Sequence, residues 1–187
     1  MNSIGLILMA SGAGSRFGGN KLFADVGGRP LVDRAMDAYP PALFYRAVVV
    51  SCYPALLTLA AARGYRTILN QGADEGISAS IRLGMAEMAE ADGVLFAVCD
   101  QPWLTAESVT RLLAAFESQP DKIAALSWRG RKGNPCLFPP AYYEELSALT
   151  GDRGGGAVIR AHPEALLLVE AYAERELCDV DSPQDLQ

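Results

Sequence analysis

Apolar and polar positions along the chain fall into alternating strand-sized and helix-sized blocks. Ile4 to Ala10 is a continuous apolar run ending in a glycine cluster, the pattern of a strand buried on both faces. Runs over Ala47 to Ser51, Tyr65 to Leu69, Gly93 to Cys99, Ile123 to Trp128 and Ala165 to Val169 predict further strands. Pro30 opens a predicted helix over Leu31 to Tyr39, and Pro40-Pro41 lies beyond its end. Ala55 to Ala62 reads as helix closed by Arg63-Gly64. Ile77, Ile81, Met85 and Met88 recur at helical spacing within Ile77 to Ala91. Thr105 is placed to cap a helix running to about Glu117. The last third is less regular: a short extended piece over Pro135 to Phe138, helices over Ala141 to Leu149 and Gly154 to Ala161, and a final turn after Asp179 to Ser182. Strands alternating with helices predict one α/β domain over residues 1–187, with a mostly parallel sheet covered on both faces. Such sheets bind ligands at the carboxyl ends of their strands, which directs attention to the segment leaving each strand.

Charge narrows the class of partner. The 187 residues carry 22 Asp and Glu against 16 Lys and Arg, a net charge of −6, which argues against a nucleic-acid partner held through counterion release. A small anionic ligand needs only a few local cations. The apolar runs are strand-sized and fall short of the ~20 residues a membrane helix needs, so no membrane partner is expected. No basic residue precedes the first apolar run, and the four cysteines form no C-x-x-C pair. Together these predict a cytoplasmic protein with reduced thiols.

The first strand runs into Ala10-Ser11-Gly12-Ala13-Gly14-Ser15-Arg16-Phe17-Gly18-Gly19-Asn20-Lys21. Glycines let the backbone turn sharply and approach a ligand closely, clustered amides make an anion-binding concavity, and Arg16 and Lys21 add positive charge. The physical reading is a triphosphate cradle; the alternative is a solvated glycine loop. A P-loop is excluded because Asn20 stands where lysine belongs and Leu22 comes after Lys21, leaving no hydroxyl for magnesium. The dinucleotide fingerprint fails because Phe17 occupies the place of its third glycine.

The order G-x-G-x-R-x-G-x-x-K resembles the opening of the MobA-like nucleotidyltransferases, most closely the molybdenum cofactor cytidylyltransferases. Ala10, Gly12, Gly14, Arg16, Gly18 and Lys21 match that opening, Met9 stands in the place of its leucine, and Ser11 and Phe17 depart from it. Further segments come in family order. They are Gly28-Arg29-Pro30-Leu31-Val32, Asn70 with Gly76 to Gly84, Cys99-Asp100-Gln101-Pro102, Gly133-Asn134-Pro135, Gly151-Asp152-Arg153-Gly154-Gly155, and Asp179-Val180-Asp181-Ser182-Pro183. Cys99 replaces the glycine usual before the aspartate. The resemblance spans nearly the whole chain. It implies a Rossmann-like nucleotidyltransferase fold and Mg2+-dependent transfer of a nucleotidyl group, CMP from CTP, to a small phosphorylated acceptor, the molybdenum–pterin cofactor. It also implies passing contact with a molybdoenzyme or its chaperone.

Nucleotidyl transfer builds charge on phosphoryl oxygens and on departing pyrophosphate, so the protein supplies position and positive potential. Arg16 and Lys21 are the candidates for that work. Asp100 stands directly after the most apolar strand and fits a magnesium ligand, or else a turn before Thr105. Asp181 is the candidate second carboxylate, with Asp179 as its competitor and a plain helix-start motif as the alternative. The resemblance assigns Ala10, Ser11, Gly12, Gly14, Asn70 and Asp100 to the nucleotide. Gly76, Ser78 and Ser80 either offer amides and hydroxyls to base or ribose, or simply cap a helix. Trp103 is a minor candidate for a pocket wall, and His162 reads as structural. Arg129, Arg131 and Lys132 form a basic run that either meets an anionic acceptor or is a solvated loop. Rival readings are a guanylyl or sugar-phosphate nucleotidyltransferase, a glycosyltransferase using Asp179-Val180-Asp181, and a nucleotide binder without catalysis.

Overall fold

The computed structural model describes residues 3–12 and 20–186. Among these described residues seven strands form one sheet: β1 Ile4–Met9, β2 Arg46–Ser51, β3 Arg66–Leu69, β4 Gly93–Val98, β5 Ile123–Trp128, β6 Arg131–Phe138 and β7 Leu166–Glu170, in the order β3-β2-β1-β4-β6-β5-β7. All neighbours run parallel except β6, which is antiparallel to both β4 and β5. The helices are α1 Leu31–Met36, α2 Pro54–Ala62, α3 Ile77–Met85, α4 Ala106–Ser118, α5 Tyr143–Ser147 and α6 Gly155–Ala161.

Side chains alternate across a strand, and the two faces of this sheet bury separate cores. Leu6, Leu8, Val49 and Leu95 point to the face covered by α1, α2 and α4, where they meet Leu31, Met36, Leu56, Leu112 and Phe116. Ile7, Val48, Val50, Val94 and Phe96 point to the other, where Ile81 of α3, Leu146 of α5 and Val158 of α6 close over them. This is why β1 carries no polar position: both of its faces are interior and both of its edges are paired. From β1 the chain proceeds to β2 and β3 on one side, while β4 lies on the other. The segments leaving the carboxyl ends of β1 and β4 therefore open a crevice between them.

Several predicted elements differ in extent, among them the helix expected over Ala141 to Leu149, which is a 3₁₀ turn followed by Tyr143–Ser147. The first helix ends at Met36 because single turns through Ala38 and Tyr39 carry the chain to Pro40, and the Tyr65 hydroxyl donates to the carbonyls of Met36 and Tyr39 at 3.1 and 2.6 Å. The helix expected to reach Ala91 stops at Met85 and continues as separate turns; one of its free carbonyls, Glu87 O, accepts from Arg46 at 2.6 Å. The extended piece over Pro135 to Phe138 is the end of a longer strand. Arg129 and Gly130, both at positive φ (49° and 77°), make a two-residue hairpin turn that pairs Arg131 with Trp128. The basic run is thus mostly strand.

Candidate active site

A cleft of about 860 Å³ opens at the carboxyl ends of β1, β2 and β4. Met9 to Gly12 from β1, Cys52 and Tyr53 from β2, and Val98 to Asp100 from β4 line it, with Lys21, Gly76, Ser80, Asp152 and Asp181. It has the size and placement of a small-molecule site.

The charged end is built by three segments. Lys21 sits in a 3₁₀ turn, Lys21–Phe23, held by Asn20, whose Oδ1 accepts from the Leu22 amide at 3.1 Å, and by burial of Leu22. Its Nζ donates to Asp100 Oδ2 at 2.8 Å, to the Val180 carbonyl at 3.0 Å and to Asp181 Oδ1 at 3.3 Å. Burial works to lower the lysine pKa, but pairing with Asp100 and then Asp181 outweighs it, and the net shift is upward. Asp100 is delivered by the end of β4. Asp181 arrives on a C-terminal strap joined to the same place by the Val180 amide, which donates to Asp100 O at 2.9 Å. A 3₁₀ turn, Glu174–Leu177, anchors the strap from behind: Glu176 is buried and accepts from Thr105 Oγ1 at 2.9 Å and from Ser108 Oγ. Asp179 is turned away, its Oδ1 accepting from Gln101 Nε2 at 2.9 Å.

The residues present suit a hard divalent cation. Two carboxylates converge on one point, and Asp100 Oδ1 is buried without a hydrogen-bond partner. Among the described residues no group of three or more His, Cys, Asp or Glu could hold a metal. Magnesium takes one or two carboxylates and completes its octahedron with phosphate oxygens and water, so a sparse set of this kind fits it.

The neutral end is a polar cluster beside Ser11, just past the end of β1. Ser11 Oγ lies 3.3 Å from Asn70 Nδ2 and 3.3 Å from Ser80 Oγ, and Asn70 donates to Ser80 Oγ at 3.1 Å. Asn70 and Ser80 are buried. Ser51 Oγ donates to the Ala10 carbonyl at 2.8 Å and the Tyr53 hydroxyl to the Gly12 carbonyl at 3.1 Å, so β2 props the start of the loop. Gly76 starts α3 at φ 94°, with a Cβ there falling 2.5 Å from the Gly151 carbonyl carbon. The Ser78 amide donates to Gly151 O at 3.1 Å and Arg82 donates to the Ser78 hydroxyl at 3.2 Å, so Ser78 is engaged inside the fold and only Ser80 faces the cleft.

The structure thus gathers Ala10, Ser11, Gly12, Lys21, Gly76, Ser80, Asp100 and Asp181 around one cleft, with Asn70 directly beneath. Gly14 and Arg16 lie outside the described residues. Trp103 does not line the cleft; it is half-buried with the Arg175 guanidinium 4.3 Å above its ring. His162 pairs with Glu145 at 2.8 Å, away from the cleft. Tyr53, Asp152, Gln101 and Glu176 line or support the site although sequence reasoning gives them no role. Tyr53 lies just past the end of β2, where the strand-end rule points. Gln101 and Glu176 act through partners more than 60 residues away and carry no local signal.

Comparison with known proteins shows the family. Residues 6–166 match the family described as MobA-like NTP transferase domain. A curated relative, nicotine blue oxidoreductase of Paenarthrobacter nicotinovorans, is 27% identical over 96% of this chain and 93% of its own. Phosphoenolpyruvate guanylyltransferase of Sphaerobacter thermophilus is 30% identical over 84% of this chain and 75% of its own. Among solved structures, a nucleotidyl transferase from Methanothermobacter thermautotroptrophicus superposes with a TM-score of 0.81 at 21% identity, covering 99% of this chain and 94% of that one. The chain belongs to the MobA-like NTP transferase family.

Proposed function

We propose that this protein is a Mg2+-dependent nucleotidyltransferase that transfers CMP from CTP to the terminal phosphate of a small acceptor, the molybdenum–pterin cofactor, in the cytoplasm. The observation that carries the reading is the convergence of Asp100, Asp181 and Lys21 at one end of a cleft whose other end is the Ser11–Asn70–Ser80 cluster. One end suits a triphosphate with its metal, the other a nucleobase.

Asp100 and Asp181 would hold the metal, which, when bound, neutralises phosphate oxygens and sharpens the α-phosphorus as an electrophile. Lys21, with Arg16, would bear on the β- and γ-phosphates. An acceptor phosphate oxygen attacks the α-phosphorus, the bond to the β-phosphate oxygen breaks, and pyrophosphate leaves with the displaced charge. The lysine does not transfer a proton in this scheme; its ammonium stabilises charge that grows in the transition state. The Gly12 and Gly14 region of the loop would track the phosphates. Gly76 would let the α3 start approach the ribose, since any side chain there collides with Gly151. Ser11 puts a β-carbon and a hydroxyl beside the base subsite, space that a purine needs more than a pyrimidine does.

One observation favours a second reading. A relative matched along nearly the whole chain is named an oxidoreductase, so redox chemistry on this scaffold is the alternative. Thermal shift with CTP, GTP, ATP and UTP, each with Mg2+, and with nicotinamide and flavin cofactors, separates the two. A nucleotide at 100 times its dissociation constant stabilises by about 2.7 kcal/mol. The largest shift is expected with CTP and Mg2+. Stabilisation by a redox cofactor alone, with none by any triphosphate, would reverse the assignment.

A further inference from the structure

The two carboxylates that suit a divalent cation are both held by Lys21, through Asp100 Oδ2 and Asp181 Oδ1, while Asp100 Oδ1 has no partner. The lysine Nζ lies 2.8 Å from Asp100 Oδ2 and 3.3 Å from Asp181 Oδ1, with the Val180 carbonyl at 3.0 Å as a third ligand. Oxygens this close to one ammonium leave no room for a second cation between them, and a divalent ion brought there meets a fixed like charge. The lysine side chain is 12% exposed, so water screens that repulsion poorly. The backbone beneath is pinned by the Asn20 cap and buried Leu22, but the four-carbon stem can turn about its own torsions. From the proposed metal-dependent reading, on which this rests, we infer that Lys21 and the metal compete for one site. Lys21 is a tethered cation that keeps free metal off the carboxylate pair and yields it only when an incoming triphosphate gives the ammonium a new anionic partner.

This links two roles of one residue. A metal arriving with the nucleotide brings the phosphate oxygens that draw Lys21 away, so displacement and phosphate capture are one event. A metal arriving alone must displace the ammonium with nothing to compensate it. Binding is therefore strongly synergistic between nucleotide and metal, and the site rejects free divalent ions.

Titration of Mn2+ against the protein without nucleotide, monitored by the electron paramagnetic resonance of free Mn2+, tests this directly. Lys21→Met and Lys21→Gln are each expected to bind Mn2+ at least tenfold more tightly than the unaltered chain. Adding Asp181→Asn to either should cancel the gain. Unchanged or weaker Mn2+ binding by folded variants would overturn the inference, as it would mean that the metal and lysine use different oxygens. Loss of fold in both variants, seen by near-ultraviolet circular dichroism, would also overturn it, since the ammonium would then be structural. A parallel titration of the unaltered protein with CTP and Mn2+ together separates this from the parent reading. Nucleotide-dependent Mn2+ binding without a gain in the lysine variants refutes the competition alone, and no nucleotide-dependent binding at all refutes the metal-dependent transferase.

Discussion

Gln101 Nε2 donates to Asp179 Oδ1 at 2.9 Å, and that bond separates two carboxylates that are only two residues apart. In an extended segment, positions i and i+2 share a side only if nothing turns the chain between them. Here Asp179 is taken by Gln101 while Asp181 reaches Lys21. Partial desolvation, then the Asp100 charge, pushes the Asp179 carboxyl pKa up. Its folded value therefore lies above the unfolded one, so the stability it contributes is present at low pH and is lost as pH rises from the ordinary carboxylate value through the raised one. Asp179→Asn keeps an acceptor for Gln101 and removes the charge. It should raise the melting temperature at pH 7 relative to pH 4 and leave most nucleotidyl transfer intact. A loss of activity as large as that of Asp181→Asn would move the ligand role to Asp179.

Asp100→Asn preserves the shape of the side chain and removes the charge that would hold the metal. Activity at ordinary Mg2+ should fall by at least a hundredfold, while the circular dichroism spectrum stays unchanged. Near-normal turnover at saturating Mg2+ would withdraw the metal role from Asp100.

Ser11→Gly opens space beside the proposed base subsite. It should raise kcat/KM for GTP relative to CTP by about 10-fold, the scale of discrimination by packing, ~1–3 kcal/mol. Ser11→Ala restores the β-carbon without the hydroxyl and should keep the CTP preference. If both variants shift equally, the hydroxyl rather than the β-carbon reads the base.

Gly76→Ala places a methyl at positive φ and 2.5 Å from the Gly151 backbone. Neither partner can move without displacing the start of α3 or the Gly151–Asp152 loop. The strained backbone costs of order 1–3 kcal/mol before the collision is counted. Chemical denaturation should show a loss of at least that size, with a raised KM for nucleotide in whatever remains folded. A neutral substitution would mean that the close approach of α3 to Gly151 constrains neither fold nor site.

What could be read along the chain was what local pattern encodes. β1 is buried on both faces, so its apolar run is unbroken, and α4 carries the Thr105 cap that announced it, with Thr105 Oγ1 accepting from the Ser108 amide at 3.3 Å. The start of β6 was not legible, because residues Arg131 to Asn134 are polar and their strand character comes from the Arg129–Gly130 turn and pairing with β5. Ser78 looked equivalent to Ser80 in sequence, but its place on the helix turns it toward Gly151 and Arg82. The different engagement of Asp179 and Asp181 was likewise hidden, since Asp179 accepts from Gln101, 78 positions earlier.

Pyrophosphate release measured with CTP, Mg2+ and the molybdenum–pterin acceptor decides whether this cleft transfers a nucleotidyl group. The unaltered protein should release one pyrophosphate for each CMP joined to the acceptor, and Asp100→Asn and Lys21→Ala should each abolish both signals together. Turnover of the acceptor with no pyrophosphate released, or pyrophosphate release that persists in Asp100→Asn, would contradict it.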